Sequence, residues 1–113
     1  QADDHVEKRM DLNDYLIREA DTTFFVRIKG NSMDNAGIHD NDVVIVDRSQ
    51  EASIGDIVLA SLDGEFTVKT LAKNKNGSPR LIPANEAFSP IEVLEGVQFQ
   101  IWGVVTGAVR KFK

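Results

Sequence analysis

Residues 57–71 read Ile57-Val58-Leu59-Ala60-Ser61-Leu62-Asp63-Gly64-Glu65-Phe66-Thr67-Val68-Lys69-Thr70-Leu71, and this stretch decides the fold. Two runs rich in β-branched and aromatic residues flank one Asp-Gly pair, the pattern of strands joined by a tight turn. Asp-Gly is favoured in a two-residue hairpin because both central positions need positive φ. The stretch therefore predicts an antiparallel hairpin with strands at 57–62 and 66–71, and Lys69 on the return strand.

Working outward, short runs of the same character predict further strands at 22–28, 43–47, 80–83 and 98–105. Asp11 is placed to cap a short helix running to about Glu19, with Leu12, Tyr15, Leu16 and Ile17 forming its apolar side. Pro83 and Pro90 bracket a stretch that neither helix nor central strand tolerates, so 83–90 is a loop. Phe99 and Trp102 fall in the last strand, where an aromatic serves the core or an oligomer contact. There is no internal repeat. The expected fold is mainly β: a single compact domain of strongly twisted, partly closed antiparallel sheets with one short N-terminal helix.

The chain has 113 residues, enough for one domain with a substantial core and too few for two. It divides into an acidic arm with the short helix, 1–21, and a β domain, 22–113. The arm holds seven acids against three bases, so −4 of the net −5 lies there and the body is near neutral at −1. Direct, sequence-specific DNA binding is not expected of such a surface, because phosphate contacts need clustered cations. Lys73, Lys75 and Arg80 around Gly77-Ser78-Pro79, and Arg110, Lys111 and Lys113 near the C-terminus, read as solvated loop charge. Cysteine is absent, which excludes disulfides, thiol nucleophiles and thiolate metal sites and agrees with a reducing cytoplasm. His39 beside Asp40 and Asp42 lacks a third ligand at recognisable spacing, so no metal or other cofactor is expected. No hydrophobic run approaches a membrane span.

Two residues carry candidate chemistry. Ser32, in Gly30-Asn31-Ser32-Met33, follows the apolar run Phe24-Phe25-Val26-Arg27-Ile28, and Gly30 lets the backbone turn sharply there. Lys69 lies 37 residues further on, among Phe66, Val68 and Leu71, where partial desolvation lowers an amine pKa and favours the neutral base. A neutral lysine that takes a serine proton makes a peptidase centre with no histidine, metal or cofactor. The residues by themselves also fit a plainer reading. Ser32 suits a turn, bonding local backbone through its hydroxyl. Alternation along 65–71 places Lys69 with Glu65 and Thr67 on the wet face of a half-solvated strand, opposite Phe66 and Val68.

Gly30-Asn31-Ser32-Met33, followed by Ala36-Gly37-Ile38, Asp40-Asn41-Asp42 and Val46-Asp47, resembles the serine-lysine peptidase domain of the LexA and UmuD family. So do Gly55-Asp56-Ile57-Val58 and Glu65-Phe66-Thr67-Val68-Lys69, in order and at the family's spacing, and the likeness runs from about Thr22 to Val105. Arg9-Met10-Asp11-Leu12-Asn13, Leu81-Ile82-Pro83, Phe88-Ser89-Pro90-Ile91 and Gly103-Val104-Val105 resemble its UmuD-like branch more than its repressors. Carried over by position, the resemblance implies Ser32 as nucleophile and Lys69 as general base, with the backbone N–H groups of Asn31 and Ser32 as oxyanion donors. Asn41 stands where the family often has glycine, and asparagine is the next-best residue for a left-handed backbone. Asn31 stands where aspartate is also common.

The resemblance further implies a cytoplasmic homodimer that joins a UmuC-like polymerase in SOS mutagenesis, made by self-cleavage that a RecA–single-stranded DNA filament stimulates. UmuD-like chains cut their own arm at a Cys-Gly or Ala-Gly bond, expected upstream of Gln1; the Ala36-Gly37 bond present here belongs to the nucleophile loop. The expectation is thus a processed form whose mature work is binding. Two alternatives stay open. One is the self-cleavage and dimerisation half of a LexA-like repressor. The other is a signal peptidase, against which stand the missing membrane span and Asp34, where that class has proline after Ser-Met.

Overall fold

A computed structural model of the chain describes residues 4–7 and 9–113; the remainder of the predicted arm, 1–3 and 8, lies outside the described residues. The elements run α1 (Leu12–Leu16), β1 (Thr23–Arg27), β2 (Val43–Asp47), β3 (Ile57–Leu62), β4 (Glu65–Lys73), β5 (Pro79–Ile82), β6 (Ile91–Glu92) and β7 (Phe99–Val109). The seven strands form one antiparallel sheet in the order β1-β2-β7-β3-β4-β5-β6.

The β3–β4 hairpin pairs Leu62 with Glu65 across Asp63 (φ 49°) and Gly64 (φ 84°), the doubly positive turn that the Asp-Gly pair predicts. Asn41 likewise takes the left-handed backbone, at φ 72°. Helix α1 is shorter than the expected run to Glu19. Asp11 caps it, its carboxylate accepting from Asn13 N–H at 2.8 Å, but Ile17 is already extended. Only Leu16 and Ile17 of the predicted apolar side are half-buried, while Leu12 and Tyr15 stay exposed. Leu16 docks where Gly107 leaves room, since a Cβ there would lie 3.3 Å from Leu16 Cδ2.

The sheet is strongly curled, and β7 shows why. Its register slips twice, once against β3 between Leu59 and Ala60 and once against β2 between Ile45 and Val46. Each slip leaves one residue of β7 unpaired, Trp102 and Thr106 respectively, and such bulges bend a strand and raise its twist. Flat strands four places apart would stand about 19 Å from each other at ~4.8 Å spacing. Instead β1 and β4, with three strands between them, line the same cleft.

Curling divides the interior into two apolar clusters. Met33, Ile38, Val44, Val46, Leu59 and Val68 form one, beneath the segment between β1 and β2; Val58, Ala60, Leu71 and Leu81 form the other. Strand β2 is the spine: Val44, Ile45 and Val46 are almost wholly buried, so its residues serve both faces rather than alternating. Trp102 belongs to the first cluster's margin and donates its indole N–H to Ser61 Oγ at 2.9 Å, satisfying a buried hydroxyl. The C-terminal charges are not all solvated as the sequence suggests. Arg110 binds the buried carboxylate of Asp42 through Nε at 2.7 Å and Nη2 at 2.8 Å, and also reaches Gly37 O at 3.0 Å. Arg80, read as loop charge, pairs with Glu92 at 2.6 Å.

Candidate active site

The chain leaves β1 at Arg27 and turns through Gly30, at φ 92°, a conformation L side chains rarely adopt. Gly30 N–H is held by Asp40 Oδ1 at 2.7 Å, which fixes the start of the turn that presents Ser32. Met33, next in sequence, is buried in the first cluster and anchors the turn from below. Opposite, the hairpin supplies Lys69. The two residues meet: Lys69 Nζ lies 2.9 Å from Ser32 Oγ.

Lys69 does not sit on a wet strand face. It is 8% exposed, and Val68 beside it is also buried, while Phe66 is 59% exposed. The expected alternation fails because the curl closes the 30–38 segment over β4 at Lys69 and leaves the hairpin tip uncovered. Phe66 lies against the Trp102 ring, at a centroid distance of 5.6 Å. Burial pushes the Lys69 ammonium below its usual pKa. Among the described residues no carboxylate pairs with it to reverse that.

Three oxygens surround Nζ: Ser32 Oγ, Thr67 Oγ1 at 2.6 Å and Val68 O at 3.1 Å. As an ammonium, Lys69 donates to all three. As a neutral amine it keeps two N–H groups, one of which must go to the Val68 carbonyl, a pure acceptor. Donating the second to Thr67 leaves the lone pair for the Ser32 hydroxyl proton. The arrangement therefore accommodates both protonation states without moving a heavy atom. The sequence reading placed Thr67 on the same strand face as Lys69 but gave it no role, although its place two residues before Lys69 was a usable signal.

Ser32 and Lys69 open into a cavity of about 270 Å³, walled by Val26 and Ile28 on one side and by Leu59 and Phe66 on the other. Of the predicted oxyanion donors, Ser32 lines this cavity and Asn31 does not. Among the described residues nothing in the chain accepts from the N–H of Asn31, Ser32 or Met33. Asn85 was also missed: from the 83–90 loop it donates Nδ2–H to Asn31 O at 2.8 Å. His39 is used locally, its Nδ1 2.9 Å from Asp34 Oδ1, and Asp42 is occupied by Arg110. Among the described residues no three His, Cys, Asp or Glu side chains gather as a metal site, and no helix is long and apolar enough to cross a membrane.

The Peptidase S24-like family matches residues 1–106. Protein SamA of Salmonella typhimurium is 44% identical over 112 residues, covering 97% of this chain and 75% of the relative. Protein MucA of Escherichia coli is 40% identical over 107 residues, 93% of this chain and 71% of the relative. The LexA repressor of Alcanivorax borkumensis is 40% identical over 110 residues, 97% of this chain but 52% of that protein.

Proposed function

The chain belongs to the Peptidase S24-like family, and from that premise we propose that Ser32 and Lys69 form a self-cleaving serine-lysine centre in a UmuD-like polymerase accessory protein. The observation that carries the proposal is the 2.9 Å approach of a buried, unpaired lysine amine to a serine hydroxyl. Neutral Lys69 takes the Ser32 proton as Oγ attacks a peptide carbonyl carbon. The charge developing on the carbonyl oxygen is met by the backbone N–H of Ser32, which lines the cavity, with the N–H of Asn31, outside the cavity lining, as the second donor that the resemblance implies. Lys69, now an ammonium, gives its proton to the departing amine, which leaves an acyl-serine. Water, deprotonated by Lys69 in turn, releases the carboxylate and restores both residues.

The peptide approaches along the cavity between β1 and β4. Among the described residues strand β1 is a sheet edge, paired only with β2, and its last residues line the cavity, so an extended peptide has backbone groups to meet there. The bond cut lies in an N-terminal arm of the same kind of chain, in cis or in trans, under stimulation by a RecA–single-stranded DNA filament. After cleavage the protein works in the cytoplasm as a homodimer that joins a UmuC-like polymerase in translesion synthesis. A near-neutral body that exposes Phe66 beside Trp102 and Arg48 suits a protein partner better than a phosphate backbone.

The test is self-cleavage of the protein expressed from its complete reading frame, with and without the filament, in wild type, Ser32→Ala and Lys69→Ala. Cleavage that persists in either variant removes the dyad. Co-purification with the cognate polymerase tests the mature role, and a folded protein that captures none of it overturns that part. The match to a LexA repressor favours one second reading, the self-cleaving half of a repressor. Operator binding by the protein from its complete reading frame, lost on cleavage, would select it.

A further inference from the structure

We propose that Asn85 is a positioning residue for the nucleophile turn, holding the peptide groups on both sides of Ser32 so that their N–H groups face the cleft; this rests on the reading of Ser32 given above. Two donors from the 83–90 loop reach the turn. Asn85 Nδ2–H bonds Asn31 O at 2.8 Å, and Ala84 N–H bonds Ser32 O at 2.8 Å. The contact is reciprocal, since Asn35 N–H returns to Ala84 O at 2.7 Å.

Asn31 O and Ser32 N–H belong to one peptide unit, and Ser32 O and Met33 N–H to the next. No described peptide bond is cis, so in each unit the N–H points opposite to the C=O. Pinning both carbonyls toward the loop therefore aims both N–H groups away from it. The cleft lies on that far side: Ser32 and Met33 line it and no residue of 83–90 does, while the loop lines a separate depression of its own. Hydrogen bonding at each carbonyl also polarises its peptide unit and strengthens the N–H as a donor. Asn31 O accepts from Asp34 N–H as well, at 3.3 Å, so the Asn85 bond is the shorter of its two supports.

The Asn85 side chain has a second task that makes the proposal separable from loop structure. Its Oδ1 accepts from Ala87 N–H at 2.9 Å, the turn bond that shapes the loop. Asn85→Asp keeps that acceptor and the side-chain shape, but it replaces the donor to Asn31 O with a charged oxygen that faces the same carbonyl. Asn85→Ala removes both.

The experiment compares wild type, Asn85→Asp and Asn85→Ala, each expressed from the complete reading frame, by first-order self-cleavage rate across pH, by melting temperature, and by the ¹⁵N–¹H resonances of Ser32 and Met33. Asn85→Asp is expected to remain folded at the assay temperature and to cleave roughly ten- to a hundredfold more slowly than wild type, as for a displaced oxyanion donor. The Ser32 amide resonance moves in both variants. The pH midpoint of the Asn85→Ala profile stays at the wild-type value, because Asn85 does not touch Lys69. A rate for Asn85→Asp within about twofold of wild type overturns the proposal, and so does an unmoved Ser32 resonance. If Ser32→Ala still cleaves, the reading of the nucleophile is what has failed, and the amide resonances then decide the Asn85 claim by themselves.

Discussion

Asp42→Asn is the sharpest test of how the nucleophile segment is held. Asp42 is 1% exposed and takes hydrogen bonds from Arg110 and from His39 N–H, which hold its pKa at about 2 instead of 3.8. At about 1.4 kcal/mol per pH unit, that difference corresponds to roughly 2–3 kcal/mol of stability. Arg110, however, is 42% exposed, so water screens the pair, and the contribution of the charge is better set at about 1–2 kcal/mol. In the variant an amide NH₂ replaces one carboxylate oxygen and meets a donor, so none of this is recovered. For a chain of this size about 1 kcal/mol corresponds to some 4 °C in melting temperature, and a fall of about 4–8 °C at pH 7 is expected. The sign of the pH dependence follows from the lowered pKa. The unfolded chain binds the proton first, so the contribution is complete above the unfolded value of 3.8 and disappears as pH falls through about 2. Urea unfolding followed by Trp102 fluorescence, from pH 7 to 2, should show the two proteins converging between about pH 4 and 2. A gap that stays constant down to pH 2, or no gap at pH 7, refutes the reasoning.

The other predictions concern the base and the bulged strand. Burial lowers the Lys69 pKa, so the fold binds this proton less tightly than the unfolded chain, and stability from this group rises with pH toward the unfolded value of 10.5. Lys69→Met should therefore be neutral or stabilising by up to about 1 kcal/mol near pH 7, an advantage that shrinks by pH 10; clear destabilisation in urea at pH 7 contradicts it. The self-cleavage rate should climb with pH and level off below 10.5 as Lys69 becomes neutral, and a flat profile removes the general base. In Gly103→Ala a new Cβ would lie 2.6 Å from Val46 Cγ1 and 2.9 Å from Asp47 O, backbone that cannot step aside. A loss of about 1–3 kcal/mol is expected, and an unchanged melting temperature would show that β2 and β7 are not so closely apposed.

The hairpin turn and strands β2 and β3 were legible in the sequence to the residue, because Asp63-Gly64 and the β-branched runs are local signals, whereas β4 runs Glu65–Lys73 rather than 66–71. What escaped depends on the curl. Strand β7 runs to Val109 rather than 105, and its two bulges were invisible to alternation. Gly103 beside Trp102 and Gly107 beside Thr106 were the available hint, since an isolated glycine inside a strand pattern marks a bulge. Burial of Lys69 follows from the same curl, so its strand alone reads as a wet face. The bonds from Ala84 and Asn85 to the nucleophile turn span 52 and 54 residues, and no local pattern encodes a contact at that distance. The two-residue strand β6 carries too short a pattern to register.

A buried amine works as a base only while no carboxylate reaches it, because one within about 4–6 Å restores the charged form. This requirement gives meaning to the acid-rich segment that carries Ser32. Asp34, Asp40 and Asp42 all lie within ten residues of the nucleophile, a density that would threaten the base if any of them turned toward the cleft. Each is committed elsewhere: Asp34 to His39, Asp40 to Gly30 N–H, Asp42 to Arg110 and His39 N–H. These bonds shape the turn and also keep its negative charge off Lys69. Loosening them should therefore show in the chemistry as well as in stability. A carboxylate freed to face the cleft raises the Lys69 pKa and moves the pH–rate profile upward, whereas simple loss of order lowers the plateau without moving the midpoint. The Arg110→Ala profile distinguishes the two, and a shift of its midpoint to lower pH would refute this account of the segment.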